Sequence, residues 1–391
     1  MTQFKKTSIA LAVAALASGA AFAQSNVTIY GTVDIGFSKL NKNWDSGVKS
    51  QTAIDAGQSA DSLIGFKGVE DLGNGNKALF VLEAGFQNDT GAQNGDFLAE
   101  QAFLGLTGSW GTAIAGRLVA PRHGFLSALD PFGAGTVGSY RNVMGDVSVG
   151  AYQTAAGINN VTLVDSNVPL ADVDRVSNAV AYVSPTFSGF NVTAAYATNG
   201  LEQELMGKDN NAKVYTILPR YTNGPLDVGV VYQQVKLNEA VLGVDDTDVK
   251  LKQWAVGASY DFGAAKVSAF YDTFKIAAGN TANTVYPDLD GLKMKTWLLG
   301  VSVPFGKNAV QASYAQSKVT GVDDLFEGKT RQYALGYTYS LSKRTNFYAA
   351  YARVKNDKSD GEYTRFNSVG DATNANAGYQ QGFQFGLKHD F

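Results

Sequence analysis

Two histidines, no cysteine and one long charged segment bound the chemistry this chain can perform. Zinc and copper sites draw on clustered His and Cys, and His123 and His389 are far apart with no thiol to join them. A Ser-His-Asp arrangement on His123 would have to borrow its Ser and Asp from the loop around it. The acidic runs Asp245-Asp246-Thr247-Asp248 and Asp323-Asp324 offer oxygen ligands but lack the Gly and closing Glu of an EF-hand. They read as solvated loops, with divalent-cation bridging to lipopolysaccharide as the alternative. Gly133-Ala134-Gly135 lacks the strand-Gly-helix context of a phosphate cradle. No catalytic, metal or cofactor site is expected. What remains is electrostatic: Arg122, Asp130, Arg141 and Asp146 lie between Arg117 and Arg175, and fixed charges set a local potential without breaking a bond.

The elements that would hold those charges are strands. Phe383, Phe385, Leu387 and Phe391 alternate with Gln384, Lys388 and Asp390 at the end of the chain. The same period of two recurs in Val27-Ile29, Val33-Ile35-Phe37, Leu226-Val228-Val230-Tyr232, Trp254-Val256-Ala258-Tyr260 and Trp297-Leu299-Val301-Val303. Between these apolar residues stand mostly Thr, Ser, Gly, Gln and Ala. Short turns, such as 71–75, 223–225 and 261–263, alternate with long polar loops, such as 41–61, 238–248 and 356–378. That is the signature of an all-β, up-and-down transmembrane barrel, with apolar residues to lipid and polar residues to a lumen. About sixteen strands are expected. The aromatics Tyr30, Phe86, Trp254, Tyr260, Trp297, Tyr339 and Tyr348 fall near strand ends, where girdles would use them.

Both ends of the chain agree. Lys5 and Lys6, the apolar run Ile9 to Leu16 and Ala21-Phe22-Ala23 form a signal peptide over 1–23, leaving 24–391 as the barrel domain. Its removal would leave 30 basic against 35 acidic residues, so neither nucleic acid nor an anionic lipid surface is an implied partner. A mean hydropathy of −0.11 fits strands that hide alternate residues from water. The segment between Arg117 and Arg175 is longer than a compact fold needs for a connection. It reads as a loop folded into the lumen, against the alternative of an external flap.

Several stretches carry a resemblance. Asn26 to Asp34, Gly65 to Gly75, Leu82 to Phe86, Gly116-Arg117, Asp130-Pro131-Phe132-Gly133, Arg175 to Gly189, Leu341 to Thr345 and Gly386 to Phe391 are, in this order, similar to the Gram-negative general porins of the beta-proteobacterial branch. The resemblance implies a sixteen-stranded homotrimer with an inward-folded third loop. It also implies diffusion of ions and small hydrophilic solutes across the outer membrane, and recognition of Phe391 by the barrel assembly machinery. The alternatives are a substrate-selective channel, a surface adhesin or a barrel-borne enzyme.

The departures bear on mechanism. Where the family places arginines of a basic pore ladder, this chain has Leu63 after Ser62, and Glu100 before Gln101-Ala102. Arg117 and Arg175 match ladder positions, and parity from Leu63 puts Lys67 on the lumen face. With Arg122, Asp130 and Asp146 from the inserted loop, the constriction is expected to be weakly cation-selective or nearly non-selective.

Overall fold

The structure, a computed structural model, describes residues 26–41, 50–144, 172–200, 212–237, 249–278, 290–321, 328–357 and 379–391. The expected signal peptide and Asp146 lie outside these residues, as do both acidic runs. Among the described residues no helix is long and apolar enough to cross a membrane, which says nothing of crossing by strands.

Among the described residues, seventeen strand segments form one antiparallel sheet closed on itself. They are β1 (Asn26–Asn41), β2 (Gln51–Ala56), β3 (Leu63–Gly73), β4 (Asn76–Gly85), β5 (Gln101–Gly108), β6 (Gly111–Val119), β7 (Arg175–Val183), β8 (Phe190–Ala197) and β9 (Lys213–Asn223). The second half comprises β10 (Leu226–Leu237), β11 (Val249–Asp261), β12 (Lys266–Ala278), β13 (Lys293–Phe305), β14 (Asn308–Thr320), β15 (Gly328–Ser340), β16 (Thr345–Asn356) and β17 (Gln381–Asp390). One edge of β1 pairs with β17, from Thr32↔Asp390 to Asn41↔Gln381. The other edge pairs with β3 from Asn26↔Val69 to Thr32↔Leu63, then with β2 from Ile35↔Ala56 to Leu40↔Gln51. β2 and β3 are therefore two halves of one barrel strand, and the architecture is a sixteen-stranded antiparallel barrel.

Residues 51–56 are strand, not the loop expected from their polarity. Residues 57–62 interrupt β2 and β3 and are gathered onto Asp34. Its carboxylate accepts from the Ser59 and Ala60 N–H groups at 2.8 Å each, and the Ser62 hydroxyl accepts from the Asp34 N–H at 3.0 Å. The turns follow local rules more plainly. Asn74 (φ 54°) and Gly75 (φ 76°) link β3 to β4 with both central residues left-handed, the turn that matches the twist of a hairpin.

Alternation then sorts the side chains. Ile29, Leu104, Leu299 and Phe385 are half exposed or more on the outer surface. An outward girdle crosses neighbouring strands, with ring centroids 5.7 Å apart for Trp254 and Tyr271, 5.1 Å for Trp297 and Tyr314, and 5.0 Å for Tyr314 and Tyr333. Two expected girdle residues face inward instead. The Tyr30 hydroxyl donates to Glu83 Oε1 at 2.6 Å and that of Tyr348 to Asp34 Oδ1 at 2.6 Å, because each phenol is next to a carboxylate across the sheet. The inner face is also less uniformly small and polar than the alternation implied. Val231, Leu251, Phe270, Phe274, Ile276 and Leu298 are buried on it, and they form the bed of an inserted segment.

Candidate functional site

The segment leaving β6 is shaped first by a proline and an aspartate. Pro121 opens helix α1 (Pro121–Leu129), where a missing N–H is harmless and a fixed φ helps. Asp130 ends it. Its buried carboxylate accepts from the N–H groups of Phe132 at 3.0 Å, Ala134 at 3.0 Å and Tyr140 at 3.2 Å, which folds the chain back toward the short helix α2 (Arg141–Met144). A carboxylate occupied by three backbone donors organises the turn and offers no bare charge to a passing ion.

The segment then follows the inner wall, strand by strand, over positions where the wall has no side chain. A Cβ on Gly229 of β10 would lie 2.9 Å from the Phe125 ring, and one on Gly336 of β15 would lie 2.7 Å from the Phe132 ring. Cβ atoms on Gly257 of β11 and Gly300 of β13 would collide with Leu129 and Pro131. Here glycine serves close approach, not turn geometry. The far end is tied by hydrogen bonds. Val137 N–H donates to Gln384 Oε1 at 2.7 Å, Gln332 Nε2 donates to the Gly138 carbonyl at 2.8 Å, and Thr136 N–H donates to the Gln58 carbonyl between β2 and β3.

An ionic clamp holds the near end. Arg122 is completely buried, with Nη2 2.7 Å from Asp272 Oδ1 on β12 and Nη1 3.1 Å from Asp172 Oδ1. Asp172 also accepts the Tyr140 hydroxyl at 2.7 Å and lies 2.9 Å from His123 Nδ1 and 3.7 Å from Arg141 Nε. Burial alone would raise the Asp172 pKa. The charges of His123, Arg122 and Arg141 outweigh it and hold the carboxyl well below the usual carboxylate range. Burial, reinforced by the Asp172 charge, pushes the Tyr140 phenol up, so it remains a donor. Ser127 Oγ lies 3.2 Å from His123 Nε2, which completes Ser-His-Asp connectivity. The carboxylate is shared with two arginines and a tyrosine, and Ser127 lies within α1 one turn after the histidine. The set ties the segment together and does not resemble an exposed, activated nucleophile.

The expected pore residues distribute unevenly over this frame. Leu63 and Lys67 lie on the inward parity of β3, with Ile64 and Phe66 exposed between and beside them. Lys67 Nζ sits 4.5 Å above the Tyr30 ring. Glu100 and Arg175 come together, Arg175 Nη2 being 2.6 Å from Glu100 Oε2 and 3.7 Å from Asp61 Oδ2. Arg117 donates to the Ala99 carbonyl at 2.5 Å and to Ser177 Oγ at 2.7 Å.

Arg117 and Arg175 lie off the inner face for different reasons. On β6 the buried Thr112, Ile114 and Leu118 keep one inward parity, which Arg117 does not share; on β7 an extra residue beside Asn178, at φ 50°, shifts the buried inner face from Ala179 to Val176 and takes Arg175 off it. Arg122, expected to line the pore, is withdrawn from water, because Asp272 on the wall meets it there. Asp272 was not singled out by sequence reasoning. Its signal was an acid inside the otherwise apolar inward series Phe270, Phe274 and Ile276.

The profile of the Gram-negative porin family matches residues 10–359. An outer membrane porin protein of Bordetella pertussis is 31% identical over 396 residues, covering 90% of this chain and 94% of its own length. Outer membrane porin protein 32 of Delftia acidovorans is 32% identical over 408 residues, covering 99% and 100%. Among solved structures, an anion-selective porin from Comamonas acidovorans superposes with a TM-score of 0.73 at 28% identity, covering 94% of this chain and all of that one. With its closed sixteen-stranded barrel and a segment laid along the lumen wall, the chain belongs to the Gram-negative porin family and is an outer-membrane diffusion channel.

Proposed function

We propose that ions and small hydrophilic solutes pass the wall-bound segment 120–144 through a gap carrying little uncompensated charge. The pairing of charges carries this reading. Arg122 is matched by Asp172 and Asp272, Arg175 by Glu100, and Asp130 by three backbone donors. The Comamonas relative is described as anion-selective. Leu63 and Glu100, where the family places arginines, argue for a weaker or inverted preference here. Zero-current potentials across a salt gradient in a planar bilayer test it. The wild type should sit near zero or slightly cation-selective, and Leu63→Arg with Glu100→Arg should move it toward anions, since Arg175 also loses its partner. Strong chloride selectivity in the wild type, or no response in the double variant, overturns the assignment.

The working unit in this reading is a homotrimer exported with cleavage after Ala23. The outward faces of β3 to β6 carry Ile64, Phe66, Leu104, Leu106, Ala113 and Ala115, while the Trp and Tyr girdle described above spans β11 to β15. An apolar face of this kind suits a protein neighbour, whereas amphipathic rings suit a lipid interface. Trimers on unheated gels and an N-terminus at Gln24 are the expected observations.

A further inference from the structure

Among the described residues, five buried side-chain oxygens have no hydrogen-bond partner, and four of them lie on the inner face of three neighbouring strands. They are Asp272 Oδ2 on β12, Thr296 Oγ1 on β13, and Ser313 Oγ and Ser317 Oγ on β14. Three of the four form a row. Asp272 stands directly opposite Thr296, and Thr296 directly opposite Ser317, with exposures of 0%, 0% and 1%. Both Arg122 bonds to Asp272 go to Oδ1, Nη2 at 2.7 Å and Nε at 3.2 Å, which leaves the second carboxylate oxygen for another donor. At the other end, Thr330 of β15 stands opposite Ser317 and donates to Asn356 Oδ1 at 2.6 Å.

The row is enclosed. Toward the short turns it is bordered by the buried Phe270, Leu298 and Ala315, and toward the long loops by the buried Phe274 and Met294. Helix α2, with Val143 and Met144 buried, lies over β13 to β15. Directly opposed side chains on one face are about 5 Å apart at Cβ. No hydrogen bond joins these three, so their oxygens are near each other without touching, the spacing that a bridging water spans. A buried oxygen left without a partner is costly, and a charged one more so.

We propose that ordered water binds in this row, between the barrel wall and the inserted segment, and bridges the Asp272 carboxylate to the Thr296 and Ser317 hydroxyls. Water suits the donor set better than a metal cation. The guanidinium of Arg122 already neutralises Asp272, and the other two groups are neutral. The α1 end of the segment thus lies dry against the glycines of β10 and β11, while the α2 end is carried over β13 and β14 on water. This inference stands on the packing of the wall and not on the charge of the gap.

The sign of one substitution separates a watered row from a dry one. Replacing an unpartnered buried hydroxyl by a methyl group of the same shape is neutral or stabilising, whereas removing a hydroxyl that holds water leaves a carboxylate short of a donor. In the full-length barrel, Thr296→Val should speed loss of the folded gel band at a fixed temperature about tenfold, the cost of one such bond. The same change should have little effect in the background of Arg122→Met with Asp272→Leu, where no carboxylate remains to be reached. Crystals of the wild type should show water within hydrogen-bond distance of Asp272 Oδ2 and Thr296 Oγ1, and Thr296→Ser should keep it. Crystals grown in rubidium salt should give no anomalous peak there. If Thr296→Val does not assemble, Ser317→Ala carries the same comparison. Unchanged or slower band loss, an undiminished effect in the double-variant background, a dry row in the crystal, or a rubidium peak would each overturn the proposal.

Discussion

Gly229 of β10 stands directly opposite Gly257 of β11, and Phe125 and Leu129 of the inserted helix occupy the space where their side chains would be. The wall was left bare on neighbouring strands at the places where α1 lies down. A barrel of this size could hold the segment loosely in water; the paired glycines instead make a shallow seat that fixes its distance from the wall.

Filling that seat should narrow the channel. Gly257→Val places a branched side chain against Leu129 and should lift α1 toward the pore axis, at about 1–3 kcal/mol of overpacking. Single-channel conductance should fall, and adding Leu129→Ala to the same variant should restore most of it. Unchanged conductance in Gly257→Val would mean that the segment does not bear on this wall.

The clamp at Arg122 should matter more to stability than to ion preference. Arg122→Met leaves Asp272 buried beside no cation, a loss of about 3–5 kcal/mol for breaking one side of a buried ionic group. The folded band on gels should be lost at lower temperature. Arg122→Met with Asp272→Leu should recover part of the loss, since the second change removes the orphaned charge. If zero-current potential shifts strongly in Arg122→Met while thermal stability does not, Arg122 faces the water after all.

Acid should release the segment late. The Asp172 pKa is depressed from its ordinary 3.8, so its contribution to stability is fully present above that value and is lost as pH falls through the lower folded value. Conductance noise from the segment should therefore stay flat from neutral pH down to about pH 4 and rise only in stronger acid. Asp172→Asn should show the noisy state already at neutral pH. A transition near pH 6 that persists in Asp172→Asn would point to another group.

Phe391 should be needed for closure more than for conduction. Its N–H donates to the Gly31 carbonyl at 3.0 Å, and its carbonyl accepts from the Gly31 N–H at 3.2 Å. Its ring fills the place of a Gly31 side chain, Cζ lying 2.5 Å from where that Cβ would be. Deleting Phe391 should reduce the yield of heat-modifiable barrel several-fold, while the barrels that do form conduct normally. Normal yield after deletion would remove the residue from assembly.

The strands were legible because one period of two decides both exposure and pairing, and the outer face must be apolar along its length. Lumen positions obey a looser rule. Phe270, Phe274 and Ile276 show apolar residues on the inner face of a strand whose outer face also carries Ala269 and Tyr271, and only an inserted segment explains both. Residues 51–56 escaped notice because their sequence is polar and pairs mainly through the backbone, with Ser38 Oγ donating to Asp55 Oδ2 at 3.0 Å, in a register offset that residues 57–62 absorb onto Asp34. The fates of Arg175 and Arg122 were hidden for a different reason. Parity locates a side chain only while the ladder is unbroken, and the extra residue on β7 between Val176 and Ala179 breaks it for Arg175, whereas Arg117 is off the inner face by the plain parity of Thr112, Ile114 and Leu118. Burial of Arg122 depends on Asp272, which lies 150 positions away in sequence.

The seam between β1 and β17 joins Thr32 to Asp390, 358 positions apart. The earliest strand to leave a ribosome is thus the last to receive its second neighbour. Until the final strand is made, its edge is a row of unsatisfied donors and acceptors, open to any passing strand. Such a chain has reason not to fold as it is synthesised. Its topology makes waiting part of what the sequence requires, because the closing contacts are the most distant along the chain.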